Sequence, residues 1–377
     1  MQAAAIALVP GFFGFDHRES RTYFADRFIA GLRSGLAARG VHDVPVIAIS
    51  TLGIASLWRR QRELLRELRA LDEKLGGARR WHLVGHSTGG VDAALLLRER
   101  PVRDGGEHTV ASDDGWTTDR EMVSRVMSVV TISSPHFGTA LAESALARWS
   151  SGHPSLAAVR DAASAAFDLL RRDDLRSRVG FFFSAMPKVS QTPFFLAQLA
   201  IRDELARDLH PKVSTDLATI PFRDDEARLA CVVTVAPRPP KNHPDKLFRD
   251  MWRWTFEGAK NLAPPPVDAS SLAARELRLG PQASLPLPPI DPGDNDGVVS
   301  TLRQVAGEPL AVVLGDHVDV LGRYQRASLL DGKVIDPGLL TSGARFGDDE
   351  FFALLDRVAS RLERSIRRWG DPVTGPR

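Results

Sequence analysis

Six short apolar runs recur along the chain, and none alternates polar with apolar residues as a half-buried strand would. They are "AAIALVP" near the start, "VPVIAIS" from Val44, "RWHLVGH" from Arg80, "VMSVVTIS" from Val126, "ARLACVVTVA" from Ala227 and "PLAVVLGDH" from Pro309. A strand that is apolar on both sides needs cover on both sides. A parallel sheet held between two layers of helices supplies it. The intervening segments fit that arrangement. Tyr23 to Arg39 and Ile54 to Leu75 carry helical spacing, with Leu64, Leu68, Leu71 and Leu75 on one face, and Val91 to Arg100 reads as a further helix. The predicted class is α/β, with a mostly parallel central sheet flanked by helices.

The rhythm breaks in three places. Arg100 to Arg120 is polar and turn-rich, as a surface loop or short hairpin would be. Residues 140–226 lack strong strand signals and read as helices carrying the apolar clusters Phe181, Phe182, Phe183, Phe194, Phe195 and Leu196. Residues 236–294 are rich in proline. Because strands resume afterwards, these are expected to be insertions on one sheet. The core then comprises 1–139 and 227–377, with a helical cap or lid at 140–226 and a Pro-rich excursion at 236–294.

Composition narrows the function classes. Lys and Arg number 49 against 47 Asp and Glu, so no strong field favours nucleic acid or an anionic membrane. Cys231 is the sole cysteine, which excludes an intrachain disulfide and a cysteine-based zinc site. No stretch reaches the ~18–20 apolar residues of a transmembrane segment. "MQAAAIALVPGFFGFD" lacks the basic region of a secretory leader. With residue 1 as the native start the chain is expected in the cytoplasm; with a leader removed, it is a secreted one.

One stretch carries chemistry. "LVGHSTGGVD" places Ser87 between Gly85 and Gly89, after a strand run and before a helix. That is the context of a nucleophile elbow, in which a strained turn lifts a serine hydroxyl off the sheet and a helix N-terminus faces developing negative charge. An alcohol needs a base. His317, in "VVLGDHVDVLG" just beyond the last strand, is preferred over His86, His136 and His82. The sharp turn should aim His86 away, and His136 is expected beside the site. A carboxylate should orient the imidazole. Among Asp291, Asp294 and Asp296 of "DPGDNDGVVS", Asp296 precedes an ordered-looking apolar return. The order Ser, Asp, His is that of strand–elbow–helix serine enzymes, not of chymotrypsin or subtilisin. Oxyanion donors are expected at the N–H of Thr88 and, across the "LVPGFFGFD" turn opened by Gly11, at the N–H of Phe12.

Together these segments resemble the bacterial true-lipase family of α/β-hydrolases, which carry a "GHSxGG" elbow. "LVPGFFGFD" is similar to that family's oxyanion segment, "TISSPHFGT" to its segment after the next strand, "NDGVVS" to its acid segment and "DHVDVLG" to its histidine segment. The match covers Ala3 to about Thr139 and Asn295 to Leu321; between them, "RDLHPKVSTDL" matches only loosely. Pro10 departs from the family's usual histidine. Asp319 matches one ligand of the family's structural calcium, while Arg323 falls near another and would oppose a cation. The resemblance implies a serine carboxylester hydrolase, lipase- or esterase-like, acting on hydrophobic esters or lipids. It implies no required cofactor, with calcium the one candidate ion. Two alternatives stay open: a thioesterase or acyltransferase using the same residues, and a lipid- or partner-binding protein on this scaffold. "KLFRDMWRWTFEGAK", from Lys246, is the candidate for transient contact with a lipid interface, weighed against a helix simply packed on the body.

Overall fold

The computed structural model describes residues 3–11, 23–53, 55–98, 119–142, 204–223, 228–279, 282, 290–327, 334–337 and 340–370. The expected Arg100 to Arg120 loop, the phenylalanine-bearing part of the expected cap and Phe12 lie outside them, apart from residues 119 and 120 of that loop.

All six apolar runs form strands of one parallel sheet. They are β1 (Ala4–Val9), β2 (Val46–Ala48), β3 (Arg80–His86), β4 (Val126–Ile132), β5 (Leu229–Val235) and, after a further strand, β7 (Glu308–Leu314). That further strand, β6 (Glu276–Leu277), pairs in parallel with β7 at the sheet edge, giving the order β2-β1-β3-β4-β5-β7-β6. It falls inside the Pro-rich excursion, where two residues are too few to leave a periodic signature. A separate antiparallel pair joins β8 (Gln325–Ala327) and β9 (Val334–Pro337).

The unbroken apolar character of the strands has a direct cause. Along β1, Ile6 and Leu8 join one buried cluster while Ala5, Ala7 and Val9 join another on the opposite face. Helices α1 (Asp26–Ala37), α2 (Leu57–Lys74) and α3 (Thr88–Leu95) follow β1, β2 and β3. Short helices α4 (Arg120–Ser124), α5 (Glu204–Asp208) and α6 (Pro211–Ala218) lie between β3 and β5 in sequence. After β5 come α7 (Lys246–Lys260) and α8 (Ser270–Ala273), and the described chain ends in α9 (Asp348–Gly370). The first face is covered by α1 and α9, with Phe28, Leu32, Phe351, Leu354 and Val358 buried. The second is covered by α2 and α3, with Leu64, Leu68 and Leu71 inside as their spacing predicts, Leu75 partly buried against the cluster and Leu65 buried as well. Ser56 caps α2, its hydroxyl accepting the N–H of Arg59. Helix α7 turns Phe248 and Trp252 inward and leaves Trp254 exposed. Among the described residues no helix is long and apolar enough to cross a membrane.

Several polar groups inside these layers pair with one another, although both amide atoms of Gln61 and Oδ1 of Asp92 are buried without a partner among the described residues. His82 shares a hydrogen bond with Ser128 across β3 and β4 (2.8 Å), and His136 with Thr131 (3.0 Å). Burial pushes both imidazoles down to about 3 and drives His86 well below its ordinary range, so all three are neutral at pH 7. Arg60 and Asp92 form a fully buried ion pair (2.7 Å) between α2 and α3. Tolerance for that buried pair comes from its further bonds: the guanidinium also donates to the carbonyls of Leu52 and Pro10.

This packing can be tested in two ways. Phe351 is fully buried against Phe28 and Tyr324, so Phe351→Ala should cost roughly 3–5 kcal/mol in urea denaturation. The buried histidines add a pH term. Above pH 6.5, the ordinary imidazole value, folded and unfolded chains hold the same neutral rings. Below it the unfolded chain binds protons that the folded chain refuses down to about pH 3, the value to which His82 and His136 are held. Stability should therefore fall on acidification from pH 6.5, by roughly 1 kcal/mol per pH unit for each ring, and His82→Asn should flatten the slope of unfolding free energy against pH.

Candidate active site

The parallel sheet brings the C-terminal ends of β3, β5 and β7 to one edge, and Ser87, Asp296 and His317 meet there. Ser87 is the first residue beyond β3 and the N-cap of α3, held at φ 54° and ψ −131°. A non-glycine residue in that region is strained by about 1–3 kcal/mol, and the surrounding backbone maintains it. The flanking glycines explain how. A Cβ on Gly85 would lie 2.5 Å from the Gly89 carbonyl oxygen and from Gly90 Cα, and one on Gly89 would lie 2.4 Å from the carbonyl oxygens of Val9 and Pro10. Only bare backbone turns this tightly against β1.

His317 lies just after β7. Its Nε2 is 3.0 Å from Ser87 Oγ and its Nδ1 is 2.8 Å from Asp296 Oδ2. Asp296 is fully buried, yet every need of a carboxylate is met. Its Oδ1 accepts the N–H groups of Val298 (3.0 Å) and Val299 (2.8 Å). Its Oδ2 accepts the Thr234 hydroxyl (2.7 Å) and the Gln304 amide (3.2 Å) besides the imidazole. Donors arranged this way stabilise the ionised form and aim one oxygen at the ring. The rivals face elsewhere. Asp291 and Asp294 both take Arg238, at 2.6 and 3.0 Å.

The "SSPHFGT" segment braces the acid from below. Thr139 donates to the Val298 carbonyl (2.6 Å), and Arg303 donates to the Phe137 carbonyl (2.6 Å). His136 sits in this segment, bonded to Thr131 and not to Ser87. His86, by contrast, is nearer than its sequence position suggests. Its ring centroid is 4.8 Å from that of His317, and its Nε2 donates to the His317 carbonyl (2.7 Å). Sequence reasoning missed this contact, and it missed Thr234 and Gln304 as partners of the acid. A threonine inside the apolar run "ACVVTVA" was the available signal for Thr234.

Thr88 is the first residue of α3, where helical N–H groups have no intrahelical partner and form the positive end of the helix dipole. The other expected donor, Phe12, lies outside the described residues, but its base is visible. The Pro10 carbonyl accepts from Thr51 Oγ1 and from Arg60, each at 3.3 Å. Proline supplies neither an N–H nor a polar side chain here, so the turn is anchored through its carbonyl.

Among the described residues the partners of Asp319 are backbone and polar groups, its neighbour Asp316 among them. Its Oδ2 accepts the N–H of Asp316 (2.8 Å), while Asp316 Oδ1 takes the N–H groups of Val318 (3.0 Å) and Asp319 (3.1 Å). Burial, and then its neighbour Asp316, raises the Asp319 carboxyl well above the usual range; burial likewise lifts Asp316 to about 7. Among the described residues no group of three or more His, Cys, Asp and Glu side chains could hold a metal. Calcium takes six to eight oxygens, and these side chains do not fit it.

No family model matches the chain, and no curated protein matches it. Solved structures do. Lipase 1 from Pelosinus fermentans has a TM-score of 0.52 and 17% identity, covering 97% of this chain and 99% of its own. A Staphylococcus hyicus lipase gives 0.49 and 15%, covering 98% and 97%. EstA from Clostridium botulinum gives 0.47 and 16%, covering 96% and 87%. At these identities likeness speaks for architecture alone. With its seven-stranded parallel sheet between helical layers, the chain has the α/β-hydrolase fold.

Proposed function

We propose that this protein is a serine carboxylester hydrolase of the bacterial true-lipase type, cleaving hydrophobic esters through an acyl-enzyme. One observation carries the reading: a single imidazole, on His317, lies within hydrogen-bond reach of both an alcohol, Ser87, and a buried carboxylate, Asp296. In this reading Ser87 Oγ attacks the acyl carbonyl as its proton passes to His317 Nε2. The imidazolium that forms keeps its Nδ1–H on Asp296. The N–H groups of Thr88 and Phe12 receive the charge that collects on the carbonyl oxygen. Collapse expels the alcohol, which takes the proton from His317 Nε2, and leaves the acyl group on Ser87. Water, deprotonated by the same nitrogen, then releases the acid and restores the serine.

The preference for hydrophobic acyl groups rests on the resemblance of the elbow, acid and histidine segments to that family. A fluorophosphonate probe should label the wild type and not Ser87→Ala, and an unlabelled wild type would favour a binding role on this scaffold. With a fatty-acyl nitrophenyl ester, Ser87→Ala should lower kcat by about 10⁴–10⁶-fold and Asp296→Asn by about 10⁴-fold, since the amide favours the wrong tautomer of His317. Adding an alcohol to the same assay separates hydrolysis from acyl transfer, and exclusive transesterification would replace the hydrolase reading with an acyltransferase one.

The reaction as written needs no metal. Treatment with EGTA should leave both kcat and the thermal midpoint unchanged. A loss that calcium restores would return Asp319 to the ligand role the resemblance suggested.

A further inference from the structure

We infer that Tyr23 is a positioning residue of this site, its phenol holding His86 in the orientation that fixes the main chain of His317. The inference rests on the hydrolase reading above and adds residues that the reading does not use. Tyr23 Oη lies 2.7 Å from His86 Nδ1, and His86 Nε2 lies 2.7 Å from the carbonyl oxygen of His317. A carbonyl can only accept, so the His86 proton sits on Nε2. Nδ1 is then bare and accepts the tyrosine O–H. Each donor in the chain thus dictates the next: Tyr23 O–H to His86, and His86 N–H to the His317 carbonyl.

The consequence is a catalytic peptide gripped on both sides. The N–H of His317 donates to the main-chain carbonyl of Asp296 (3.0 Å), and its own carbonyl receives His86. With both ends held, the ring has one place to go, between Ser87 and Asp296. An error of about 1 Å in such a group can cost about 10²-fold in rate. His86 suits the task because it is buried and neutral. Burial first, and then the neighbouring His317, disfavours a charge on it, so it does not compete for the proton that Ser87 releases. The phenol also meets the first turn. The Gly11 backbone hydrogen-bonds it, and a Cβ on Gly11 would come within 2.6 Å of Tyr23 Oη and 2.7 Å of Ser87 Cβ. One hydroxyl therefore touches both Gly11, two residues beyond β1, and the residue that steadies the base.

The test is a double-mutant cycle on kcat and KM with a nitrophenyl ester, using Tyr23→Phe, His86→Leu and the pair, with His86→Gln as a separate variant. In His86→Gln the new side chain retains an amide donor for the His317 carbonyl. Tyr23→Phe removes one hydroxyl and should lower kcat by about 10-fold or more with KM within about twofold. In the His86→Leu background the same change should cost less than about threefold, because leucine neither accepts the Tyr23 O–H nor donates to the His317 carbonyl and the relay is already cut. An unchanged kcat in Tyr23→Phe, or an equal loss in both backgrounds, overturns the inference. Should Tyr23→Phe fail to fold, His86→Gln against His86→Leu decides: the glutamine variant should be at least about 10-fold more active, and equal activities overturn it. Fluorophosphonate labelling of the wild type in the same preparations keeps the two ideas apart. No labelling defeats the hydrolase reading itself; labelling with an indifferent Tyr23→Phe defeats only the positioning role.

Discussion

Where β3 ends, the backbone of residues 85–90 runs so close to the carbonyls of Val9 and Pro10 that a methyl group at Gly89 would sit 2.4 Å from each. This contact presses the start of α3 against β1 and leaves Ser87 no conformation but a strained one. Everything nearby answers to it. The strand must be parallel to β1 and centrally placed, so that both faces are packed and the turn cannot relax. Arg60, neutralised by Asp92, reaches the Pro10 carbonyl from behind and holds the opposite wall of the same gap. Strain at the serine is maintained by the buried layers on either side of the sheet.

The chemistry at this edge depends on charge being allowed in one place and refused in others. Asp296 sits in full burial with five hydrogen bonds to its two oxygens, so its ionised form is solvated by protein in place of water. His82, His86 and His136 are buried without a carboxylate and are held neutral. Asp316 and Asp319 are buried with few donors and are pushed toward their protonated forms. In the proposed reaction the proton leaving Ser87 goes to His317, which among the described histidines is the one hydrogen-bonded to a buried carboxylate.

Much of this was legible in the chain. The six apolar runs that lack alternation became six strands of the parallel sheet, because burial on both faces removes any reason to alternate. Ser87, Asp296 and His317 were each recognisable from flanking strands, glycines and order along the chain. Less legible were the short strand β6, visible only as an edge pairing with β7, and the antiparallel pair of β8 and β9. The long helix α9 has a strong amphipathic pattern from Asp348 onward, and its signal was there to be read. A calcium role for Asp319 was implied by the family resemblance alone; in the fold its Oδ2 accepts the N–H of Asp316. A resemblance between segments does not by itself reveal how many oxygens a fold gathers around a point.

The sequence by itself determined the layered α/β class, the tight turn at Ser87 and the candidates His317 and Asp296, because periodicity, glycine placement and turn chemistry are local properties. Tertiary structure alone decided which residues surround His317. His86 looked misdirected by its turn, and Tyr23 carried no signal at all. Both matter only because the sheet sets β3 beside β1 and folds the loop after β7 back over them. Hydrogen bonds between residues 63 and 231 positions apart are made by packing, and nothing in the local order of the chain encodes them.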